Sequence, residues 1–540
     1  MRRAFVWGSL SLTALLLIGG YFFHWVWWSF IIIGPLLVIG YIDFFQKKQT
    51  IRRNFPIIGN FRYLFEFIRP EINQYFVESN SDGRPFSREQ RSVVYQRAKN
   101  QLDTLPFGTQ QDVYAIGYEW VNHSLLAKQN HHSDMRVTIG GPHCEKPYSA
   151  SILNISAMSY GSLSKNAILA LNGGAKDGNF AHNTGEGSIS PYHLEPGGDL
   201  IWQIGTAYFG CRTPDGKFDP VRFKEKAQIE NVKMIEIKLS QGAKPGHGGI
   251  LPTEKLTPEI AEIRGVPLGQ DVISPPSHSA FSTPIELMEF VEQLRKLSGG
   301  KPVGLKFCLG KRREFISICK AMLETGIMPD YVAVDGGEGG TGAAPLEFSN
   351  HIGAPGIEAL IFVYNVLVGM DLKRYIKIIS SGKVTTGFGM IKRLCLGADA
   401  IYMARGMMMA LGCIQALRCN SNHCPAGVAT QDEQLVAGLV VSEKRKRVKQ
   451  YHEETVKSVA DILGAMGLER PSELRPWHLM RRVGIAEVKH YGQLFRFLEP
   501  GELLQSPVPR EFEWAYEAAS STSFLPRAKG DWPIMFGEGR

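Results

Sequence analysis

Residues 412–431 read "GCIQALRCNSNHCPAGVATQ" and put Cys413, Cys419 and Cys424 within a dozen positions of a 540-residue chain that has eight cysteines in all. No secretory cleavage signal is visible, so a cysteine cluster here points to metal binding in a reducing compartment rather than to a disulfide scaffold. The spacing is C-x5-C-x4-C, and Pro425 follows the last cysteine, as a proline often follows a cluster ligand in ferredoxin-type runs. Three thiolates without a near fourth suit an iron–sulfur cluster that lacks one iron corner. A zinc site completed by His423 is the competing arrangement, because Cys3His is a common structural set.

Such a loop needs a scaffold, and the chain supplies a regular one. Short apolar or β-branched runs occur at "ASILNISAM", "NFAHNT", "DLIWQIG", "VKMIEIKLS", "PVGLKFC", "YVAVDGG", "IKIISSG" and "AIYMARG". Most are separated by helical patterns such as "SLSKNAILALNGGAKDG" and "TPIELMEFVEQLRKL". Eight buried parallel strands with helical crossovers predict an α/β fold, a closed (β/α)8 TIM barrel with its active site at the carboxyl ends of the strands. A doubly wound open sheet is the alternative. "GEGGTG" matches a dinucleotide fingerprint after a strand, but "AAPLEFSNHIGAPG" comes next instead of an uninterrupted helix, so no helix N-terminus awaits a pyrophosphate. Its glycines, Gly339 and Gly340 among them, instead suit a loop passing close over a flat ligand.

Between Arg3 and Asp43 the chain has no Asp, Glu, Lys or Arg. At 1.5 Å per residue this run is nearly twice the roughly 30 Å hydrocarbon thickness of a bilayer, which predicts a hairpin of two transmembrane helices. Trp25, Trp27 and Trp28 fall at its middle, where an interfacial belt would lie if the chain turned there. Arg2 and Arg3 precede the run and Lys47, Lys48, Arg52 and Arg53 come after it, so the positive-inside rule puts both ends and the catalytic domain in the cytoplasm, anchored to the cell (inner) membrane. A single tilted span is the alternative. The net charge of +8 comes from 60 basic and 52 acidic residues scattered without a nucleic-acid module, so no nucleic-acid partner is expected. The expected division is two transmembrane helices over 1–45, a collar over 46–145, the barrel with its cysteine loop over 146–430, and a helical and irregular extension over 431–540. In that extension "SEKRKRVKQYHEETVKSVADILGAMGL" has helical spacing and mixed charge, the pattern of a solvated face.

Taken in order, "SAMSYGSLS", "NTGEG", "KLSQGAKPGHGGILP", "ISPPSH", "DGGEGGTGAAP", "SSGKVTTG" and "GCIQALRCNSNHCPAGVATQ" resemble the FMN-binding synthase domain of glutamate synthases over about residues 145–470. The resemblance implies an FMN-containing (β/α)8 barrel with a 3Fe-4S cluster on Cys413, Cys419 and Cys424. It implies reduction of 2-iminoglutarate, formed from 2-oxoglutarate and ammonia, to glutamate, or chemistry on a related 2-oxo or amino acid. Electrons would come from a ferredoxin-type protein or a membrane carrier, since no pyridine-nucleotide domain is visible. Glutamate synthases begin with a glutaminase domain that releases ammonia, whereas this chain begins with the hairpin, so a separate ammonia source is expected. A non-enzymatic membrane redox sensor or scaffold that retains FMN and cluster is the second reading.

Roles can be assigned residue by residue. The N1 and O2 edge of a flavin gathers negative charge on reduction and needs a nearby cation, for which Lys238 and Lys306 on the fourth and fifth strands are candidates, although either could serve in a structural ion pair. Ala157, Met158 and Ser159 resemble the segment that contacts the isoalloxazine ring. The phosphate is expected near Ser381, Gly382, Lys383, Ala404 and Arg405, after strands seven and eight. Lys244, Arg264 and Glu186 match positions that contact the oxo acid in the family, and with Lys238 they make up the expected catalytic group. The chain departs from the family at "GHGGILPT", where "GEGGQLPG" is typical: His247 replaces an acid and Ile250 an amide that helps hold substrate, removing a polar contact worth about 1 kcal/mol or more. Glu338 likewise stands for Asp.

Overall fold

The structure, a computed structural model, describes residues 2–101 and 104–526. Eight parallel strands close into a barrel: β1 (Leu153–Ile155), β2 (His182–Asn183), β3 (Leu200–Ile204), β4 (Val232–Lys238), β5 (Val303–Cys308), β6 (Tyr331–Asp335), β7 (Lys377–Ser380) and β8 (Ala400–Met403). Each lies in one of the eight apolar runs, and β8 pairs back onto β1 through Ile401 and Leu153. The open-sheet alternative is excluded.

Polarity rises along the barrel axis. On β4 the two-residue period sends Met234, Glu236 and Lys238 inward in succession. Met234 joins the apolar layer of Ile201, Tyr331, Ala333, Ile379 and Ala400, which the hairpin Arg136–Ile139 and Tyr148–Ser151 caps with Ile139, Tyr148 and Ala150. One layer up, fully buried Glu236 accepts hydrogen bonds from Asn183 Nδ2 (2.8 Å), Gln203 Nε2 (2.6 Å) and the Tyr402 hydroxyl (3.1 Å). The top layer is cationic, with Lys306 of β5 in register with Lys238.

The helices form where the caps dictate. Ser164 opens Lys165–Gly178 by accepting from Ala167 N, and Asn179 closes it in the left-handed region at φ 54°. Thr283 and Glu286 form a reciprocal capping box at the start of Pro284–Leu297. The helix Val441–Ala465 corrects the expectation of a solvated face. It packs on Lys165–Gly178, burying Val448, Tyr451, Val456, Val459 and Leu463. Gly174 makes the approach possible, since a Cβ there would meet Val448 Cβ at 2.6 Å. From the same helix His452 stacks on Phe180, with ring centroids 3.8 Å apart, and its Nε2 lies 3.0 Å from both Ser151 Oγ and the Leu153 carbonyl oxygen. Burial pulls its pKa down to about 3, so the ring is neutral.

The chain divides into two compact units at Arg88/Glu89, inside the stretch 46–145 expected as one collar. In the first unit the helix Arg2–Phe22, a 3-10 turn His24–Ser29 and the helix Phe30–Phe45 form the apolar hairpin. The segments Arg2–Phe22 and His24–Phe45 are each long and apolar enough to cross a membrane. The turn is fixed by Trp27 Nε1, which donates to the Gly20 carbonyl oxygen at 3.1 Å, and the helices are linked by Ser9 Oγ and Tyr41 OH at 2.8 Å. Further along, the helix Gly59–Ile72 exposes Phe61, Leu64 and Phe65, a stripe at helical spacing.

Candidate active site

Glu186 lies three residues beyond the end of β2, where Gly205 and Gly249 press on its carboxylate. A Cβ on Gly205 would sit 2.6 Å from Oε2, and one on Gly249 would overlap Oε1. Only residues without side chains allow so close an approach. Lys238 Nζ meets Glu186 Oε1 at 2.7 Å, with the two side chains 9% and 16% exposed. Ser274 Oγ stands 3.5 Å from Oε2. Burial pushes the Glu186 pKa up, but Lys238, Arg264 and Lys244 together outweigh it, so the carboxyl is held below its usual range and stays ionised.

Lys244 is 2% exposed, and its Nζ donates to the Ala343 carbonyl oxygen at 2.8 Å. Burial and the like charge of Lys238 lower its pKa to about 8 despite Glu186. Arg264 ends the helix Pro258–Arg264, donates from Nη2 to the Tyr160 carbonyl oxygen at 3.1 Å, and lies over the Phe209 ring at 5.2 Å. Its buried Nε has no partner among the described residues. Burial brings its pKa down to about 10. Three cations thus surround one carboxylate, and the group carries excess positive charge in a site of low dielectric. Such a site suits an anionic ligand with more than one carboxylate.

Lys238 and Lys306, in register on neighbouring strands, behave differently. Lys238 is held by Glu186. The ammonium of Lys306, a residue 4% exposed, has neither a hydrogen-bond acceptor nor a carboxylate among the described residues. An ammonium without a protein partner at the barrel mouth fits the negative edge of a flat cofactor.

Above β1, Met158 N donates to the Asn183 carbonyl oxygen at 3.0 Å, and Ser159 Oγ donates to Ser162 Oγ at 3.0 Å. Ala157 lies in the same turn, half-buried. After β7, Ser381 Oγ donates to Asp335 Oδ1 at 2.6 Å, and Gly382 (φ 110°) and Lys383 (φ 50°) turn the backbone through the left-handed region. Arg405 succeeds Ala404 at the start of the helix Arg405–Leu411 and donates from Nη2 to the Glu338 carbonyl oxygen at 2.8 Å. Its guanidinium lies against Gly340, where a Cβ would come within 2.8 Å of Nε, while Gly339 packs on Gly242. The glycine loop therefore closes over the carboxyl ends of β4, β7 and β8. The loop leads into the short helix Leu346–His351, and a dinucleotide turn is absent from this segment. Glu338 has a structural partner in Arg393 Nη2 at 3.4 Å and accepts from Gly356 N at 2.9 Å.

Of the departures, His247 Nδ1–H donates to the Gly248 carbonyl oxygen at 2.9 Å, and its ring stands edge-on to Phe348. Ile250 begins the two-residue strand Ile250–Leu251, paired with Val272–Ile273.

The cysteine loop is pinned to the turn that carries Ser159. Gln431 Nε2 donates to the carbonyl oxygens of Gly161 (3.0 Å) and Leu163 (2.9 Å), and Ser164 Oγ donates to that of Gly427 (2.7 Å). Tyr95 OH donates to the Cys413 carbonyl oxygen at 2.8 Å from the other side. The three thiols lie close enough to act on one another: burial first, then the neighbouring thiols, push Cys413 up to about 11, and burial and Cys424 raise Cys419. Free thiols there would be neutral, and metal ligation would deprotonate them. Among the described residues no three His, Cys, Asp or Glu side chains converge to hold a single ion.

Three supporting residues escape sequence reasoning. His193 Nε2–H donates to the Met158 carbonyl oxygen at 3.1 Å and holds the β1 turn. His278 Nε2–H donates to the Lys238 carbonyl oxygen at 2.9 Å, with Tyr208 OH at its Nδ1 (3.1 Å). Burial keeps both rings neutral, with pKa values of about 4. Lys255, a buried lysine, sits beside the thiols; burial lowers its pKa to about 8 although Cys419 and Cys424 act to raise it. "ISPPSH" flags His278 only as part of a motif, and no local signal marks the other two.

Comparison with known proteins gives a consistent picture. A family model described as the conserved region in glutamate synthase matches residues 118–469. The glutamate synthase large subunit-like protein YerD of Bacillus subtilis is 36% identical over 497 residues, 84% of this chain and 94% of the relative. The archaeal glutamate synthase [NADPH] of Methanocaldococcus jannaschii is 35% identical over 323 residues, 59% of this chain and 60% of the relative. This chain thus spans about three fifths of the archaeal protein. Among solved structures, a mandelate oxidase mutant with a monooxide FMN adduct aligns with a TM-score of 0.40 at 16% identity, covering 80% of this chain and 99% of that one.

Proposed function

Because the chain belongs to the glutamate synthase family, we propose that this oxidoreductase is a membrane-anchored FMN and iron–sulfur enzyme that reduces 2-iminoglutarate to glutamate. A related 2-oxo or amino acid is the variant of this reading that the Ile250 and His247 departures favour. The observation that carries it is the buried cationic group at the barrel mouth, where Lys238, Lys244 and Arg264 surround Glu186.

FMN, when bound, supplies the hydride for the C2 carbon of the substrate. Lys244 and Arg264 bind and orient the two carboxylates, whose charge their own burial leaves uncompensated. Glu186, ionised and fixed by Lys238, accepts a hydrogen bond from the N–H of the substrate's iminium nitrogen and offsets its positive charge. Lys306 would offset the negative edge of the isoalloxazine, and Ser381, Gly382, Lys383 and Arg405 would hold the phosphate. The glycine loop through Gly339 and Gly340 covers the ring and keeps water out. Cys413, Cys419 and Cys424 would hold a 3Fe-4S cluster, which would supply single electrons received from a ferredoxin-type protein or a membrane carrier.

The hairpin anchors the enzyme with both ends in the cytoplasm. Two apolar helices, a tryptophan-rich turn and basic flanks support this reading, as does the exposed aromatic stripe on Gly59–Ile72.

The test is anaerobic. Detergent-purified protein is reduced, 2-oxoglutarate is added with and without ammonium, and flavin absorbance is monitored. Reoxidation that requires both is the expected result; flavin that stays reduced with both present overturns the reaction.

A further inference from the structure

The cysteine loop shields a single ammonium. Lys255 ends the 3-10 turn Thr253–Lys255, is 2% exposed, and donates from Nζ to the Ser162 carbonyl oxygen at 3.0 Å. Asn422, between Cys419 and Cys424, donates from Nδ2 to the Glu254 carbonyl oxygen at 2.9 Å, which fastens the loop to the peptide next to Lys255. Asn422 itself is locked at φ 59°, its side-chain oxygen accepting from Gln431 N at 2.7 Å. Lys255 forms no ion pair with a carboxylate among the described residues, and the ionisable groups that act on it are the thiols of Cys419 and Cys424, which carry charge only once a metal has deprotonated them.

A buried ammonium with one carbonyl acceptor is costly unless a negative charge lies beside it. Three thiolates on iron and sulfide provide that charge. The same lysine reaches the turn expected to touch the flavin, because Ser162, whose carbonyl it binds, also receives the hydroxyl hydrogen of Ser159. It therefore bridges the two redox sites.

We propose that Lys255 is the counter-cation of the iron–sulfur cluster: it raises the cluster's reduction potential and ties the cysteine loop to the flavin-side turn. The inference rests on the assignment of that cluster to Cys413, Cys419 and Cys424. One electron entering the cluster adds one negative charge and breaks no bond. A fixed ammonium nearby stabilises the reduced form relative to the oxidised one, as outer-shell charges tune metal sites generally.

The experiment uses full-length protein, purified anaerobically in detergent, as wild type, Lys255→Met and Lys255→Arg. Iron, sulfide and flavin contents are measured, and the cluster is titrated potentiometrically with EPR detection. The inference predicts wild-type flavin content in all three, a lower cluster potential in Lys255→Met, and a potential near wild type in Lys255→Arg. If Lys255→Met does not accumulate, Lys255→Gln makes the same comparison. An unchanged potential in the neutral variant overturns the proposal, as does an equal shift in the Met and Arg variants, which would mark a packing effect. Wild-type protein without iron overturns the cluster assignment itself and this inference with it, and that result is read before any variant is compared.

Discussion

The two ends of the barrel bury charge in opposite ways. At the amino-terminal end Asp330 is 1% exposed and fully satisfied: Oδ1 accepts from Gly141 N (2.6 Å), and Oδ2 from Val303 N (2.8 Å) and Arg295 Nη2 (3.2 Å). Arg295 is also paired with Glu292 at 2.7 Å. At the carboxyl-terminal end three cations share Glu186, and Lys306 has no partner among the described residues. The difference separates structure from function. Compensated charge at the closed end fixes the joint between β5, β6 and the capping hairpin, whereas the excess positive charge at the mouth suits an anionic ligand.

Breaking the closed end has the largest expected effect. Asp330→Ala leaves Arg295 with Glu292 as its remaining carboxylate partner and orphans the buried N–H groups of Gly141 and Val303, so the unfolding free energy falls by about 3–5 kcal/mol. Chemical denaturation of the purified protein measures this, and a change below about 1 kcal/mol would mean that Asp330 and Arg295 do not hold β5, β6 and the hairpin together.

At the mouth the sign reverses. Lys244→Ala weakens oxo-acid binding by about 2 kcal/mol, roughly 30-fold, with flavin content and stability retained or improved. Titration of the flavin spectrum with 2-oxoglutarate measures the loss, and disappearance of FMN from the variant would move Lys244 into the cofactor pocket.

The contrast sharpens with pH. Lys244 has its pKa lowered to about 8, so in the free site it is an ammonium below that pH and neutral above it. Oxo-acid affinity should hold below about pH 8 and then decline, approaching roughly tenfold per unit until it reaches the level of Lys244→Ala. The Ala variant should lack that decline; if it keeps it, another group titrates.

The smallest effect comes from Ile250→Gln. Restoring an amide beside the mouth should tighten 2-oxoglutarate binding by about 1 kcal/mol, roughly fivefold. No gain would mean that the strand Ile250–Leu251 holds residue 250 away from the ligand.

Sequence reading located all eight strands because buried parallel strands are short continuous apolar runs between turn signals. Of the residues brought together at the mouth, Glu186, Lys238 and Lys244 stand in motifs whose glycines and lysines have no local structural reason, while Arg264 was named only through the family resemblance. The helix Val441–Ala465 misled because its charges are dense, although Val448, Tyr451, Val456, Val459 and Leu463 form a buried stripe at helical spacing. Lys255, His193 and His278 were not legible, since each acts through a partner far away in sequence: Ser162, Met158 and Lys238. A buried polar residue has its role set by the tertiary neighbour that satisfies it, and no local pattern encodes that neighbour.

The most direct test of the central claim, that the cationic mouth converts a 2-oxo acid and ammonia to an amino acid, tracks the nitrogen. Anaerobically reduced protein is incubated with 2-oxoglutarate and isotopically labelled ammonium, and the products are analysed by mass spectrometry. The account predicts labelled glutamate from wild-type protein and a loss of most of it from Lys244→Ala at limiting oxo acid. Flavin-loaded, reduced wild-type protein that yields no labelled amino acid from this or any related 2-oxo acid would contradict it.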